Sequence, residues 1–143
     1  MPFGWCHSQE SCYSMIGRAG GRQDLSLGRG CEYIGVVIHE LGHAIGLYHE
    51  HTRFDRDNWI TIYENNVIPG QLHNFARIDK YQELSFTPYD YESIMHYGNY
   101  AFSKEPHQLR TMVAKDGTRL LEPYERKGFT KNDIYTINKL YRC

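Results

Sequence analysis

The sequence has no apolar run long enough to cross a bilayer. Its mean hydropathy is −0.62, which excludes a transmembrane helix. It has no excess of one charge either: 16 Lys and Arg stand against 17 Asp and Glu, for a formal net charge of −1. Such a chain projects no basic field for nucleic acid and has no polybasic stretch for a membrane surface. There is no Cys-x-x-Cys pair, no Cys/His zinc spacing, no internal repeat, no low-complexity tract and no linker. The first fifteen residues lack the basic-then-apolar pattern of a secretory signal.

The chain has 143 residues, a length that predicts one domain, residues 1–143, with room for a real core. Twelve tyrosines stand out, a residue suited to clefts and half-wet surfaces. The four cysteines, Cys6, Cys12, Cys31 and Cys143, are an even number in a small chain. Without metal spacing they predict disulfides and an oxidising compartment. Four cysteines allow three pairings, and spacing does not choose among them. Disulfides without a signal segment lead to the expectation of an excised or incomplete piece of a longer secreted precursor. The rival reading is a cytosolic protein with reduced thiols.

Residues 17–30 are rich in Gly and Arg and read as a loop around a short strand. Residues 32–46 read as a helix, because Ile34, Val37, Ile38, Leu41 and Ala44/Ile45 recur at steps of three and four and predict a buried stripe. At about 100° per residue, His39 and His43 fall together, away from that stripe, as on a helix flooring a cleft. Residues 59–67 read as a strand or turn entering a short helix that ends at Pro69-Gly70, and residues 71–92 as irregular, with a turn at Thr87-Pro88. Thr130, with Asp133 three residues on, predicts the N-cap of a last helix with Ile134, Ile137 and Leu140 as its apolar stripe. The balance predicts an α+β fold.

Residues 39–50 read His-Glu-Leu-Gly-His-Ala-Ile-Gly-Leu-Tyr-His-Glu. His39 and His43, one helical turn apart, can grip one zinc ion. Gly46 lets the chain leave the helix in a left-handed turn, which would swing His49 back as a third ligand. Three neutral imidazoles leave the ion its full charge and one open position for water, whose pKa then falls towards about 7. Glu40, beside the first ligand, can take that water's proton. With 8 His and 13 Gly in 143 residues, such a pattern arises by chance in roughly one chain of this length in several thousand. A closed structural zinc site usually takes four protein ligands, often cysteine, so three histidines beside a carboxylate favour catalysis over a structural role.

His-Glu-x-x-His-x-x-Gly-x-x-His is the metzincin signature. Glu50 and the following His51-Thr52-Arg53-Phe54-Asp55-Arg56-Asp57 resemble the astacin branch. Ser93-Ile94-Met95-His96-Tyr97 is similar to the astacin Met-turn. Gly30-Cys31, residues 12–18 and the closing residues 137–143 extend the match over nearly the whole chain. The resemblance implies a zincin-like α+β catalytic domain with a central zinc-binding helix, a partial N-terminal sheet and a loop-rich C-terminal part ending in a helix. It implies a secreted zinc endopeptidase normally made as a proenzyme, with one Zn2+ per chain on His39, His43 and His49. The implied catalytic residues are Glu40 and Tyr97, the tyrosine reaching the zinc at rest and then turning to the oxyanion. Met95 would lie beneath the metal as apolar support. The residues alone read Met95 as core filler and Tyr97 as one of twelve tyrosines. His96 is expected to be structural, and His7, His51, His73 and His107 ordinary surface residues. A peptide substrate would lie extended along the edge strand near residues 13–17, as an added β-strand.

The resemblance also implies a Cys12–Cys31 disulfide and a tie from Cys143 back to the N-terminal half. The family's domain begins earlier than this chain, so its first helix, most strands of the sheet roofing the cleft and the usual partner of Cys143 are expected to be missing here. Cys6 is the alternative partner, or both stay free. The residue matching Glu50 is linked in the family to the buried mature N-terminus. Metal chemistry is thus expected intact, on a support of reduced stability. The rival functions are a zinc-binding module that cleaves nothing and a hydrolase of small amides or esters.

Overall fold

The computed structural model describes residues 4–5, 11–81 and 85–143, and of residues 4–5 the backbone alone. Cys6 and His7 lie outside the described residues. Strand β1 (Gly4–Trp5) runs parallel to β3 (Asp24–Leu27), and β2 (Cys12–Ser14) pairs antiparallel on β3's other side. The order β1-β3-β2 leaves β2 at the sheet edge. Within β3 Leu25 and Ser26 are buried, and the Ser26 hydroxyl donates to the carbonyl of Ser11 at 2.9 Å.

A disulfide joins Cys12 to Cys31, nineteen residues apart, with their Cα atoms 5.8 Å from each other. It fastens the edge strand to the segment that enters the main helix. Closing a loop of this size removes freedom from the unfolded chain worth about 3 kcal/mol. Replacing both residues by serine is expected to lower unfolding free energy by about that amount in a urea titration. Cys143 is exposed and has no disulfide partner among the described residues, and its alternative partner Cys6 lies outside them.

Helix α1 spans Ile34–Ala44, two residues shorter at each end than the sequence pattern. Its end is a Schellman turn. Gly46 has φ +106°, its N–H donates to the His43 carbonyl at 2.9 Å, and the Leu47 N–H donates to the Gly42 carbonyl at 2.9 Å. The expected buried stripe is corrected here. Ile34 is 62% exposed and Leu41 42%, while Val37, Ile38, Ala44 and Ile45 are half-buried. The buried residues of α1 are Gly35, His39, Glu40, Gly42 and His43. The helix turns its histidine face inward because glycine allows close approach there. A Cβ on Gly35 would meet the Pro123 carbonyl oxygen, and one on Gly42 would lie 2.6 Å from Met95 Sδ. Hydropathy ranks imidazole as polar, but carbonyl partners let these rings go inside.

The chain then passes through two 3-10 turns, Glu50–Thr52 and Arg56–Asn58, into β4 (Ile60–Ile62) and a third, Glu64–Asn66. Strand β5 (Met112–Ala114) pairs antiparallel with β4. Ile60, Met112, Ala114, Tyr89 and Leu120 form one buried cluster. Leu47, Ile94 and Met95 form a second, closed by Ile38, Phe129, Ile137 and Leu140. The second cluster lies between α1 and α2 (Lys131–Tyr141). Thr130 and Asp133 cap α2 with a full capping box, as the sequence predicts. Ile137 and Leu140 pack inward, but Ile134 is 48% exposed. The buried position of that face belongs to Asp133. Among the described residues no helix is long and apolar enough to cross a membrane.

Candidate metal centre

Backbone carbonyls orient the first two histidines. His39 Nδ1 lies 2.8 Å from the Ile94 carbonyl oxygen, and His43 Nδ1 lies 2.8 Å from that of Leu47. A carbonyl only accepts, so each Nδ1 carries the proton and each Nε2 bears a lone pair. The turn at Gly46 brings His49 opposite them. Its Nε2 is 3.1 Å from that of His39 and 3.0 Å from that of His43. The Thr52 hydroxyl donates to the His49 carbonyl at 2.7 Å and fixes the start of the next turn.

This arrangement fits a metal. His49 Nε2 can donate a proton to one neighbour at most, which leaves facing lone pairs that a cation relieves. Tetrahedral Zn–N bonds of about 2.0–2.1 Å place ligand nitrogens about 3.3 Å apart, close to what the rings present. Burial, with the His43 ring next, pushes His39 down to about 4. Burial likewise holds His43 low, and burial and then the neighbouring His51 hold His49 well below the ordinary range. The neutral imidazole so favoured is the form that ligates.

Glu40 lies beside His39 on α1 and is 5% exposed. Its Oε2 is buried with no hydrogen-bond partner among the described residues, and burial pushes the carboxyl up to about 7. A dication held by the triad acts in the opposite direction. Tyr97 places its ring 4.4 Å from that of His49 and 5.9 Å from that of His39. Burial, then the carboxyls of Glu40 and Glu122, push its phenol up, so it is a donor at neutral pH. Met95 is 1% exposed and lies against Gly42.

The structure thus brings His39, His43 and His49 together, with the Tyr97 ring against His49 and Glu40 next to His39 on α1. His73 and His107 are on the surface, as expected. His96 is fully buried, accepting from the Tyr89 hydroxyl at 2.8 Å while its Nδ1 donates to the Tyr97 carbonyl at 2.7 Å. His51 is a correction: expected on the surface, it is 0% exposed. It lacks ligand spacing, and no sequence signal marks it as part of the centre's wall. Glu50 turns away from the triad. Its Oε1 accepts from Arg53 Nη1 at 3.1 Å and from the Asp90 N–H at 2.8 Å, beside a small cavity of about 60 Å³ that Asn132 and Asp133 also line.

The sequence matches the profile of the Astacin peptidase family over residues 5–142. The chain belongs to the astacin family. It is 46% identical over 136 residues to astacin-like metalloprotease toxin 2 of Loxosceles intermedia, covering 94% of this chain and 53% of the toxin. It is 42% identical over 142 residues to zinc metalloproteinase nas-4 of Caenorhabditis elegans, covering 97% of this chain and 44% of that protein. The solved structure of high choriolytic enzyme 1, a hatching enzyme zinc-protease from medaka, superimposes with a TM-score of 0.85 at 41% identity. It covers 97% of this chain and 68% of the enzyme. The chain thus spans about half the length of the curated relatives it matches. His39, His43 and His49 are positioned to bind a metal ion, and zinc is the metal of astacin metalloproteases.

Proposed function

We propose that this chain is the catalytic part of a secreted zinc endopeptidase that cleaves internal peptide bonds of proteins. One observation carries the reading: three Nε2 atoms converge on one point, and Glu40, next to His39 on α1, has a buried carboxylate oxygen with no hydrogen-bond partner among the described residues. No described protein group bonds Glu40 Oε2, so that oxygen can accept from a water, as a base must. Secretion rests on the Cys12–Cys31 disulfide and on toxins among the relatives.

In this reading His39, His43 and His49 hold the zinc, which when bound supplies a Lewis acid and an acidified water. Glu40 takes the water's proton and passes it to the leaving amine. Tyr97 donates from its phenol to the oxyanion as the carbonyl becomes tetrahedral. The substrate backbone pairs with edge strand β2 as an added strand. Tyr97→Phe removes the phenol donor and is expected to lower kcat about 100-fold with zinc content unchanged. Stopped assays paired with metal analysis would read both.

The deciding experiment is hydrolysis of a quenched fluorescent protein by the purified chain, with zinc and then with 1,10-phenanthroline. Cleavage that the chelator stops supports the peptidase. Zinc binding without cleavage supports the second reading, a zinc-binding module. That alternative draws on the apolar side of α1, where Ile34 and Leu41 are exposed among the described residues. Cleavage restricted to short amides or esters would instead favour a small-substrate hydrolase.

A further inference from the structure

We infer that His51 is a positioning residue whose ring is the platform on which Tyr97 rests beside the metal triad. This rests on the peptidase reading for its catalytic consequence, but not for the contact itself. The two rings lie nearly parallel, 25° apart with centroids 4.5 Å from each other. His51 is fully buried, so nothing from solvent competes for that face. Its own place is fixed by other neighbours, among them the rings of His49 and His96, at 5.1 and 6.1 Å. Its Nε2 is 3.1 Å from the Asn74 carbonyl oxygen and so donates to it, and the Phe75 ring meets it edge-on at 5.8 Å. The Arg56 guanidinium donates to the carbonyls of His51 and Phe75, at 3.2 and 2.6 Å, and ties both residues to one cation.

The opposite constraint on Tyr97 comes from its backbone. Its carbonyl accepts from His96 Nδ1 at 2.7 Å, and His96 is in turn held by the Tyr89 hydroxyl at 2.8 Å. Phe102 leans against the tyrosine ring at 5.8 Å. It does so from a left-handed backbone conformation, φ +54°, which is unfavourable for a residue with a side chain and persists where neighbours over-determine it. The main chain at Tyr97 is thus anchored by hydrogen bonds, whereas its ring is held by aromatic faces. Such faces set a preferred orientation without a directional bond, so the ring can turn about its side-chain torsions while its Cα stays fixed. A histidine serves this purpose better than an aliphatic residue. It offers a flat face to the tyrosine and an N–H to the Asn74 carbonyl, which would otherwise lose a buried donor.

The test combines placement with turnover. With 3-fluorotyrosine incorporated at position 97, the fluorine resonance senses the ring current of His51. His51→Leu is expected to move that resonance, in both metal-free and zinc-loaded protein, and His51→Phe to leave it near the parent position. His51→Gln, which keeps a donor for Asn74, should behave like the leucine variant and covers the case in which leucine does not fold. With a peptide substrate, His51→Leu is expected to lower kcat about tenfold at unchanged KM and zinc content, with His51→Phe keeping most of the activity. In a Tyr97→Phe background the same His51→Leu change should cost nothing further. An unmoved fluorine resonance in the leucine and glutamine variants would overturn the inference. So would an equal loss of kcat with and without the Tyr97 hydroxyl, or zinc loss tracking every substitution at His51. Absence of cleavage by the parent protein would instead refute the peptidase reading, with the fluorine shift still deciding whether His51 sets the ring.

Discussion

Glu40→Gln is expected to reduce kcat at least about 1,000-fold while the protein keeps its full complement of zinc. Glutamine has the outline of glutamate but cannot hold a proton in transit. A metal held by His39, His43 and His49 would be insulated from the change, because the orientation of those rings is set elsewhere. His39 and His43 are held by the carbonyls of Ile94 and Leu47, and His49 arrives through the turn at Gly46. Among the described residues Glu40 Oε2 has no hydrogen-bond partner that glutamine would disturb. Kinetics and metal analysis on one preparation check both halves of the expectation. Turnover within tenfold of the parent would remove Glu40 as the base. A loss of zinc in step with activity would place the carboxylate in metal retention instead.

The part of the centre that was legible in the sequence is the part governed by local geometry. Two histidines one turn apart share a face because a helix repeats every 3.6 residues. A glycine after them permits the φ of +106° that ends α1. The cap at Thr130 was visible for the same reason, since its partner is three residues away. What escaped depends on residues distant in sequence. The inward face of α1 is decided by Met95 and by the carbonyls of Pro123 and Arg126, which meet Gly42 and Gly35. A hydropathy pattern sees only Ile34 and Leu41 and so assigns the buried side to them. Strand β5 has no pronounced pattern over its three residues and exists because β4 pairs with it. The sequence places His51 on the surface because histidines without ligand spacing usually are. Its burial comes from Asn74, Phe75 and Tyr97, none of them a near neighbour in the chain. Family resemblance, not spacing, singled out Tyr97 and the Cys12–Cys31 pair.

Asp133→Ala is expected to be the most destabilising single change away from the metal ligands, by about 4 kcal/mol. The side chain is 6% exposed and joins the turn at Ser93-Ile94 to the start of α2. It accepts from the Ser93 hydroxyl at 2.6 Å, from the Ile94 N–H at 3.1 Å and from the Thr130 N–H at 2.8 Å. Alanine would strand these donors, two of them backbone groups, and would remove half of the capping box of α2. For a chain of this size the loss corresponds to a fall in thermal midpoint of roughly 12 °C. The consequence extends to the metal centre through one short path. The Ser93 hydroxyl also accepts from the Met95 N–H at 3.0 Å, and the Ile94 carbonyl orients His39. Releasing Ser93 and Ile94 therefore loosens both the residue packed beneath α1 and the partner of the first ligand, so zinc affinity is expected to fall along with stability. Asp133→Asn separates the two contributions. One amide oxygen can still accept from part of the donor set, and the loss should be about half as large. Unfolding followed by circular dichroism, with zinc affinity measured by competition against a chromogenic chelator, would register the pair of effects. A stability loss with zinc affinity unchanged would show that the turn from Ser93 to Met95 holds its shape without the aspartate.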